Sequence, residues 1–133
     1  MTNNHASVRE EVRIEPPAAQ VGELVGDPTR VHEWCPGIVS CRVDGDVRVI
    51  TARSGLNIHE RIVTHDPLLR RFQYEIDPPI VRAHLGTLDV IELDEASRLV
   101  VSSTDAEPAT VALTIGGPAG AGLHRLGSLL EAA

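Results

Sequence analysis

Three side chains in this sequence have the chemistry to move a proton or to meet the polar end of a ligand: Glu60, Tyr74 and His84. Glu60 lies in the stretch Leu56 to His65. Period-two alternation puts Leu56, Ile58, Glu60 and Ile62 on one face, and Asn57, His59, Arg61 and His65, with Val63, on the other. The first face is apolar apart from Glu60. A carboxyl group in an apolar wall resists ionisation, so its pKa rises and it becomes a candidate general acid or base. The competing reading is that Glu60 pairs with an arginine and anchors a sheet. Tyr74, the sole tyrosine, shares a strand face with Ile76 and offers a hydroxyl to a ligand. His84 shares a face with Gly86 and Leu88, and its imidazole titrates near neutral pH. A lone strand histidine is nevertheless more often structural than catalytic. Val101 and Ser103 follow on the last strand, where Ser103 adds a second hydroxyl.

Composition removes several other chemistries. The chain has 133 residues, enough for one domain spanning 1–133 with one core. Its formal charge of −7 opposes nucleic acid, which needs clustered Lys and Arg. One Trp, one Tyr and one Phe are too few for a base-stacking platform. The Arg70-Arg71 pair follows a turn signal and reads as a solvated strand end rather than a phosphate site. His-x-x-x-His and Cys-x-x-Cys spacings are absent, as are a Gly-x-Ser-x-Gly elbow and a phosphate-binding glycine loop. No metal and no cofactor are therefore expected. Cys35 and Cys41 lack disulfide-framework spacing and read as reduced, small core hydrophobes. The polar start, Met1 to Ser7, is unlike a secretory signal, and no run of apolar residues is long enough to span a membrane. A cytoplasmic location is the expectation.

The elements that must hold these residues follow from periodicity and turn signals. Val8, Val12 and Ile14 alternate with charged residues as a half-buried strand, with Glu10 at an inward position. Pro16-Pro17 ends it. Val21, Leu24 and Val25 then follow at helical spacing, and Asp27-Pro28 reads as an N-cap opening a second short helix through Trp34. Strands are predicted over Ile38–Val43, Val47–Ala52, Leu56–His65, Arg71–Ile76, Ala83–Leu93 and Leu99–Thr104. Asp44-Gly45, Ser54-Gly55, Asp66-Pro67, Asp77-Pro78-Pro79 and Asp94 to Ser97 separate them. A meander of hairpins implies antiparallel pairing. From Pro108 the period changes. Leu123, Leu126, Leu129 and Leu130 mark an amphipathic helix, with Gly116-Gly117-Pro118 bending or breaking the chain before it. The fold class is α+β: a curved antiparallel sheet of six to seven strands around a C-terminal helix, with two short helices after the first strand. The scarcity of large side chains favours an internal cavity between sheet and helix.

That order and several short motifs resemble the START-related helix-grip superfamily, most of all its bacterial polyketide cyclase/dehydrase and lipid-transport branch. The residues carrying the likeness are Asp27 to Trp34 with Pro36-Gly37-Ile38 and Ser40, and His59-Glu60-Arg61-Ile62. Asp66, Arg70-Arg71-x-x-Tyr74-x-Ile76 and Gly86-Thr87-Leu88-Asp89-Val90 continue it. The resemblance runs from about Val8 to the C-terminus. It implies a cavity for a lipid, polyketide or similar molecule. Matching the strands to the family turns Ile58, Glu60 and Ile62, Tyr74, and His84, Gly86 and Leu88 toward it, with Val101 and Ser103 following. Trp34, with Cys35 beside it, would close one mouth, and Pro118, Gly122 and Leu126 would face it from the final helix. Ser54-Gly55-Leu56 before Glu60-Arg61 is similar to the gate of the plant hormone receptors, at a shorter spacing.

Three functions are consistent with this reading. The first is binding or transport of a small hydrophobic molecule. The second is a cyclase or dehydratase in which Glu60, Tyr74 or His84 arranges proton transfer. The third is a non-catalytic regulator that binds a partner at the cavity mouth. The chain is expected to be a monomer or homodimer.

Overall fold

The alternating segments pair as their turns dictate. The computed structural model describes residues 4–77, 83–116 and 118–131. Its elements are β1 (Ala6–Ile14), α1 (Ala18–Val25), α2 (Val31–Trp34), β2 (Ile38–Asp44), β3 (Val47–Ala52) and β4 (Asn57–Asp66). They continue as β5 (Arg71–Ile76), β6 (Ala83–Glu92), β7 (Arg98–Glu107), α3 (Ala109–Gly116) and α4 (Ala119–Glu131). All seven strands form one antiparallel sheet in the order β1-β7-β6-β5-β4-β3-β2. This is the helix-grip arrangement. The Pro78-Pro79 signal falls outside the described residues.

One face of the sheet receives the helices. Ile14, Ile50, Phe72, Leu88, Val90 and Val100 meet Val21, Leu24 and Val25 of α1, Val31 and Trp34 of α2, and Leu123, Leu126 and Leu130 of α4. Each such burial contributes about 1.5–3 kcal/mol relative to exposure. Helix α1 begins when the Val21 N–H reaches the Pro17 carbonyl (3.0 Å) and ends when the Gly26 N–H reaches Gly22 (2.8 Å). Helix α4 approaches closely because its contact points are small. A Cβ on Gly127 would lie 3.3 Å from Ile14, and one on Gly122 would lie 3.4 Å from the Cys35 sulfur. Glu10, the one carboxylate on the inner face of β1, sits against Gly120 in the first turn of α4, where the helix dipole favours an anion.

Four local expectations are corrected. Asp27 does not cap α2. Its carboxylate accepts the Thr29 N–H (2.9 Å) and hydroxyl (2.6 Å) in an Asx turn, so α2 starts only at Val31. The Gly116–Pro118 signal does break the helix: Pro118 has no N–H to continue α3, and its carbonyl instead accepts the Gly122 N–H at 3.2 Å. Gly117 itself lies outside the described residues, and Pro118 is exposed rather than facing an interior. Strand β4 carries a bulge between Ile62 and Thr64. Beyond it His65 pairs with Phe72 and crosses to the inner face, with the two rings edge-on at 5.9 Å. Finally, Val101 and Ser103 point to the outer face. Pairing of β7 with His84, Gly86, Leu88 and Val90 puts Ala106, Thr104, Ser102 and Val100 inward. The apolar run Leu99-Val100-Val101 has no parity of its own, so register decided it.

Gly86 marks the tightest fit within the sheet. It pairs with Tyr74, and a Cβ there would lie 2.6 Å from the tyrosine Cε1 and 2.8 Å from its hydroxyl. Gly86→Ala should therefore destabilise the protein by about 2 kcal/mol through overpacking. Chemical denaturation should show the loss, and Tyr74→Ala in the same chain should relieve part of it.

Candidate ligand-binding site

The inner face holds one ion pair far from solvent. Arg48 on β3 and Glu60 on β4 are cross-strand partners, and Arg48 Nε donates to Glu60 Oε1 at 2.7 Å. Their side chains are 3% and 4% exposed. The guanidinium carbon lies 5.1 Å from the ring centroids of both Phe72 and Tyr74, and Nη1 donates to the Pro28 carbonyl at 3.4 Å. Burial pushes the Glu60 carboxyl above its ordinary range, and the Arg48 charge pulls it back. Glu60 is thus engaged by a cation, the sheet-anchor geometry. Arg48 was not among the residues singled out from sequence. The β3–β4 pairs are symmetric about Ser54, so the Ser54-Gly55 turn signal already places residue 48 opposite residue 60.

Tyr74 and His84 lie side by side, ring centroids 5.5 Å apart. His84 Nδ1 accepts the Ile76 backbone N–H at 3.1 Å. That bond fixes the proton of the neutral ring on Nε2. Burial lowers the His84 pKa to about 4, so the ring is uncharged at neutral pH. Among the described residues the buried Nε2 has no hydrogen-bond partner, and neither has Trp34 Nε1. Burial also raises the Tyr74 hydroxyl above its usual value, with Glu60 adding to the effect. The Cys35 thiol, near the ion pair, is pushed up by burial to about 12 and stays protonated. Cys35 and Cys41 are both free, and Cys41 donates to the Thr29 carbonyl at 3.1 Å.

The expected walls do not all meet around one space. Ile58, Ile62 and Gly86 join Tyr74 on the inner face, but Trp34 and Leu126 are 3% and 0% exposed and belong to the packed core. A cleft of about 450 Å³ instead opens between α1 and the β4–β5 turn. Ala19, Gly22, Glu23 and Val25, with Gly26, Asp27 and Pro28, form one side. His65, Asp66, Pro67, Arg70 and Arg71 form the other, and Phe72, Leu88 and Val90 make the floor. Of the residues expected from sequence, Leu88 alone lines it. The floor is the sheet's inner face, and Phe72 belongs both to the cleft and to the Arg48 stack.

A curved antiparallel sheet packed around a C-terminal helix, with an apolar-floored cleft beside it, places the protein in the helix-grip class. The chain belongs to the polyketide cyclase/dehydrase and lipid transport family, whose model matches residues 5–131. Solved structures share the fold. An uncharacterised protein from Bacillus thuringiensis superposes with a TM-score of 0.85 at 24% identity, over 94% of this chain and 98% of its own. The protein XoxI from Bacillus cereus gives 0.82 at 26% identity, over 96% of each chain. The di-domain ARO/CYC protein BexL, from a biosynthetic pathway, gives 0.78 at 19% identity, over 95% of this chain and 46% of BexL. No protein of curated function matches the sequence. Among the described residues, no helix is long and apolar enough to cross a membrane.

Two measurements test these electrostatics. Glu60→Gln keeps the shape but leaves the Arg48 charge buried without its counter-ion. It should cost about 3 kcal/mol, at the low end for breaking a buried pair, because the amide oxygen can still accept from Nε. His84 binds a proton more weakly folded than unfolded. Its burial therefore costs nothing above the unfolded value of 6.5, and stability falls as pH drops from there through about 4. Denaturant titrations at pH 7 and pH 4 should show a loss of about 3 kcal/mol that His84→Asn largely removes.

Proposed function

We propose that this protein binds a small hydrophobic molecule, rather than transforming it. The observation that carries the reading is the cleft between α1 and the β4–β5 turn, because its floor of Phe72, Leu88 and Val90 is apolar and continues to the Arg48 stack. At about 450 Å³ it falls within the usual size of small-molecule sites. Membership in a family described by lipid transport and polyketide chemistry supports the same ligand class.

Proton-transfer catalysis is less well supported. A cyclase or dehydratase needs a free acid and a free base converging on one reacting centre. Glu60 is held by Arg48, and His84 Nδ1 is held by the Ile76 N–H. His84 Nε2 and Trp34 Nε1 have no partner among the described residues, but both are buried and neither residue lines the cleft. Roles for Ile58, Ile62, Tyr74, Gly86, Gly122 and Cys35 in shaping the inner end of such a site remain part of this proposal.

Ala19 lines the cleft from an exposed position on α1, so Ala19→Trp should fill it without straining the core. Saturable binding of the apolar fluorophore anilinonaphthalene sulfonate should weaken by about tenfold or more, with the melting temperature unchanged. Equal binding by both proteins would remove the cleft as the site.

A further inference from the structure

The turn joining β4 to β5 carries the two most exposed large apolar side chains among the described residues, Leu68 at 86% and Leu69 at 70%. Consecutive bare leucines are unfavourable in water and add nothing to the core. The turn nonetheless has a defined form. The Asp66 carboxylate accepts the N–H groups of Leu68 (3.1 Å) and Leu69 (3.0 Å). The Arg70 carbonyl accepts the Val90 N–H at 3.1 Å, tying the turn to β6. Arg70 itself is left-handed, with φ of 55°, and the stem of its side chain packs over Gly22 of α1. A non-glycine residue in that conformation is uncommon and is held here by its surroundings. The leucines are thus fixed outward. The same turn supplies Pro67, Arg70 and Arg71 to the rim of the cleft.

We propose that this turn docks the protein on a phospholipid bilayer. Leu68 and Leu69 enter the headgroup–acyl boundary and Arg70 meets lipid phosphate, which brings the cleft mouth to the membrane surface. The inference rests on the reading that the cleft holds a hydrophobic molecule, and it names where that molecule comes from or goes. Two features favour lipid over a protein partner. A stable protein interface needs about 800 Å² from each side, far more than two side chains on a narrow turn present, whereas a bilayer accommodates a small apolar wedge without matched shape. Charge also fits. Arg71 is tied to Asp89 at 2.8 Å, but Arg70 has no ion pair among the described residues and stands next to the leucines. A cation beside an apolar wedge sits at headgroup level, its stem apolar and its tip polar. With only two leucines and a chain charge of −7, docking is weak and reversible, as transfer requires.

The test is co-flotation with phosphatidylcholine vesicles, using the intact chain. Wild type should float, and Leu68→Ser with Leu69→Ser should reduce the floated fraction by at least about fivefold with no change in melting temperature. Leu113→Ser, at a leucine 64% exposed on α3, should float as wild type does. A wild type that stays with the soluble fraction would overturn the proposal and point to a protein partner. So would a double variant that floats normally, or an equal loss in Leu113→Ser, which would signal general stickiness. Binding of anilinonaphthalene sulfonate without vesicles separates the two claims. If it persists while flotation is absent, docking alone fails. If it is absent while flotation still depends on the leucines, the cleft reading alone fails.

Discussion

Arg48 is a charge taken out of water, and four residues from three parts of the fold are arranged around it. Desolvating a guanidinium and a carboxylate costs several kcal/mol per ion, recovered only if geometry and hydrogen bonding are good. Here Glu60 on β4 supplies the counter-charge, Phe72 and Tyr74 on β5 supply two aromatic faces, and Pro28 after α1 supplies a carbonyl. Arginine over an aromatic ring adds about 0.5–2 kcal/mol. The consequence is positional. Phe72 is held in place as the floor of the cleft, and Tyr74 is held over Gly86, so the shape of the site inherits the rigidity of the ion pair. Replacing both ions with apolar groups of similar size would cost little stability but would release both rings.

Much of the fold was legible because its signals are local. The hairpins up to β6 are announced by Asp-Gly, Ser-Gly or Asp-Pro, the β6–β7 turn by Asp94 to Ser97, and the final helix by the change to three-and-four spacing at Leu123. What was not legible depends on register and on faces that local alternation cannot assign. In β3 the residues that look buried, Val47 and Val49, turn away, while Arg48 and Ile50 turn in. The bulge in β4 reverses His65 because one inserted residue changes parity without changing composition. Val101 and Ser103 were placed on the wrong face for the related reason that three apolar residues in a row fit either parity. Glu60, Tyr74 and His84 lie on the inner face that alternation gave them, but of the cleft's lining only Leu88 was legible. Phe72 and the α1 wall of the cleft were not, since contact between α1 and the β4–β5 turn joins segments that no local pattern links.

The chain's few large side chains explain where its free volume lies. Trp34, Phe72 and Tyr74 are its only aromatic residues, and all three project into the interior. Room for two of them comes from glycine: Gly122 under Trp34 and Gly86 under Tyr74. With these aromatics seated, the space beneath α4 is closed by Leu123 and Leu126. Helix α1 is only eight residues long and contributes Ala19, Gly22 and Val25 to the cleft. Small residues on a short helix cannot reach across to the β4–β5 turn, and the gap between them is the cleft. The cavity expected between the sheet and the C-terminal helix is not the one that opens; the cleft lies between α1 and the β4–β5 turn instead.

A fold of this kind hosts both carriers and catalysts, so the state of the polar groups has to decide between them. A proton carrier must exchange its proton with substrate, which requires an unengaged atom and a pKa near ambient pH. Glu60 has its charge matched by Arg48, His84 is driven down to about 4 with Nδ1 occupied, and Cys35 is driven up to about 12. Each is removed from exchange by a specific contact or by burial. Such groups can still contribute dipoles, and the dipoles left over are donors: the Nε2–H of His84 and the Nε1–H of Trp34. An unmet buried donor costs about 1–3 kcal/mol. Neither donor lines the cleft, so that cost is carried by the packed interior itself.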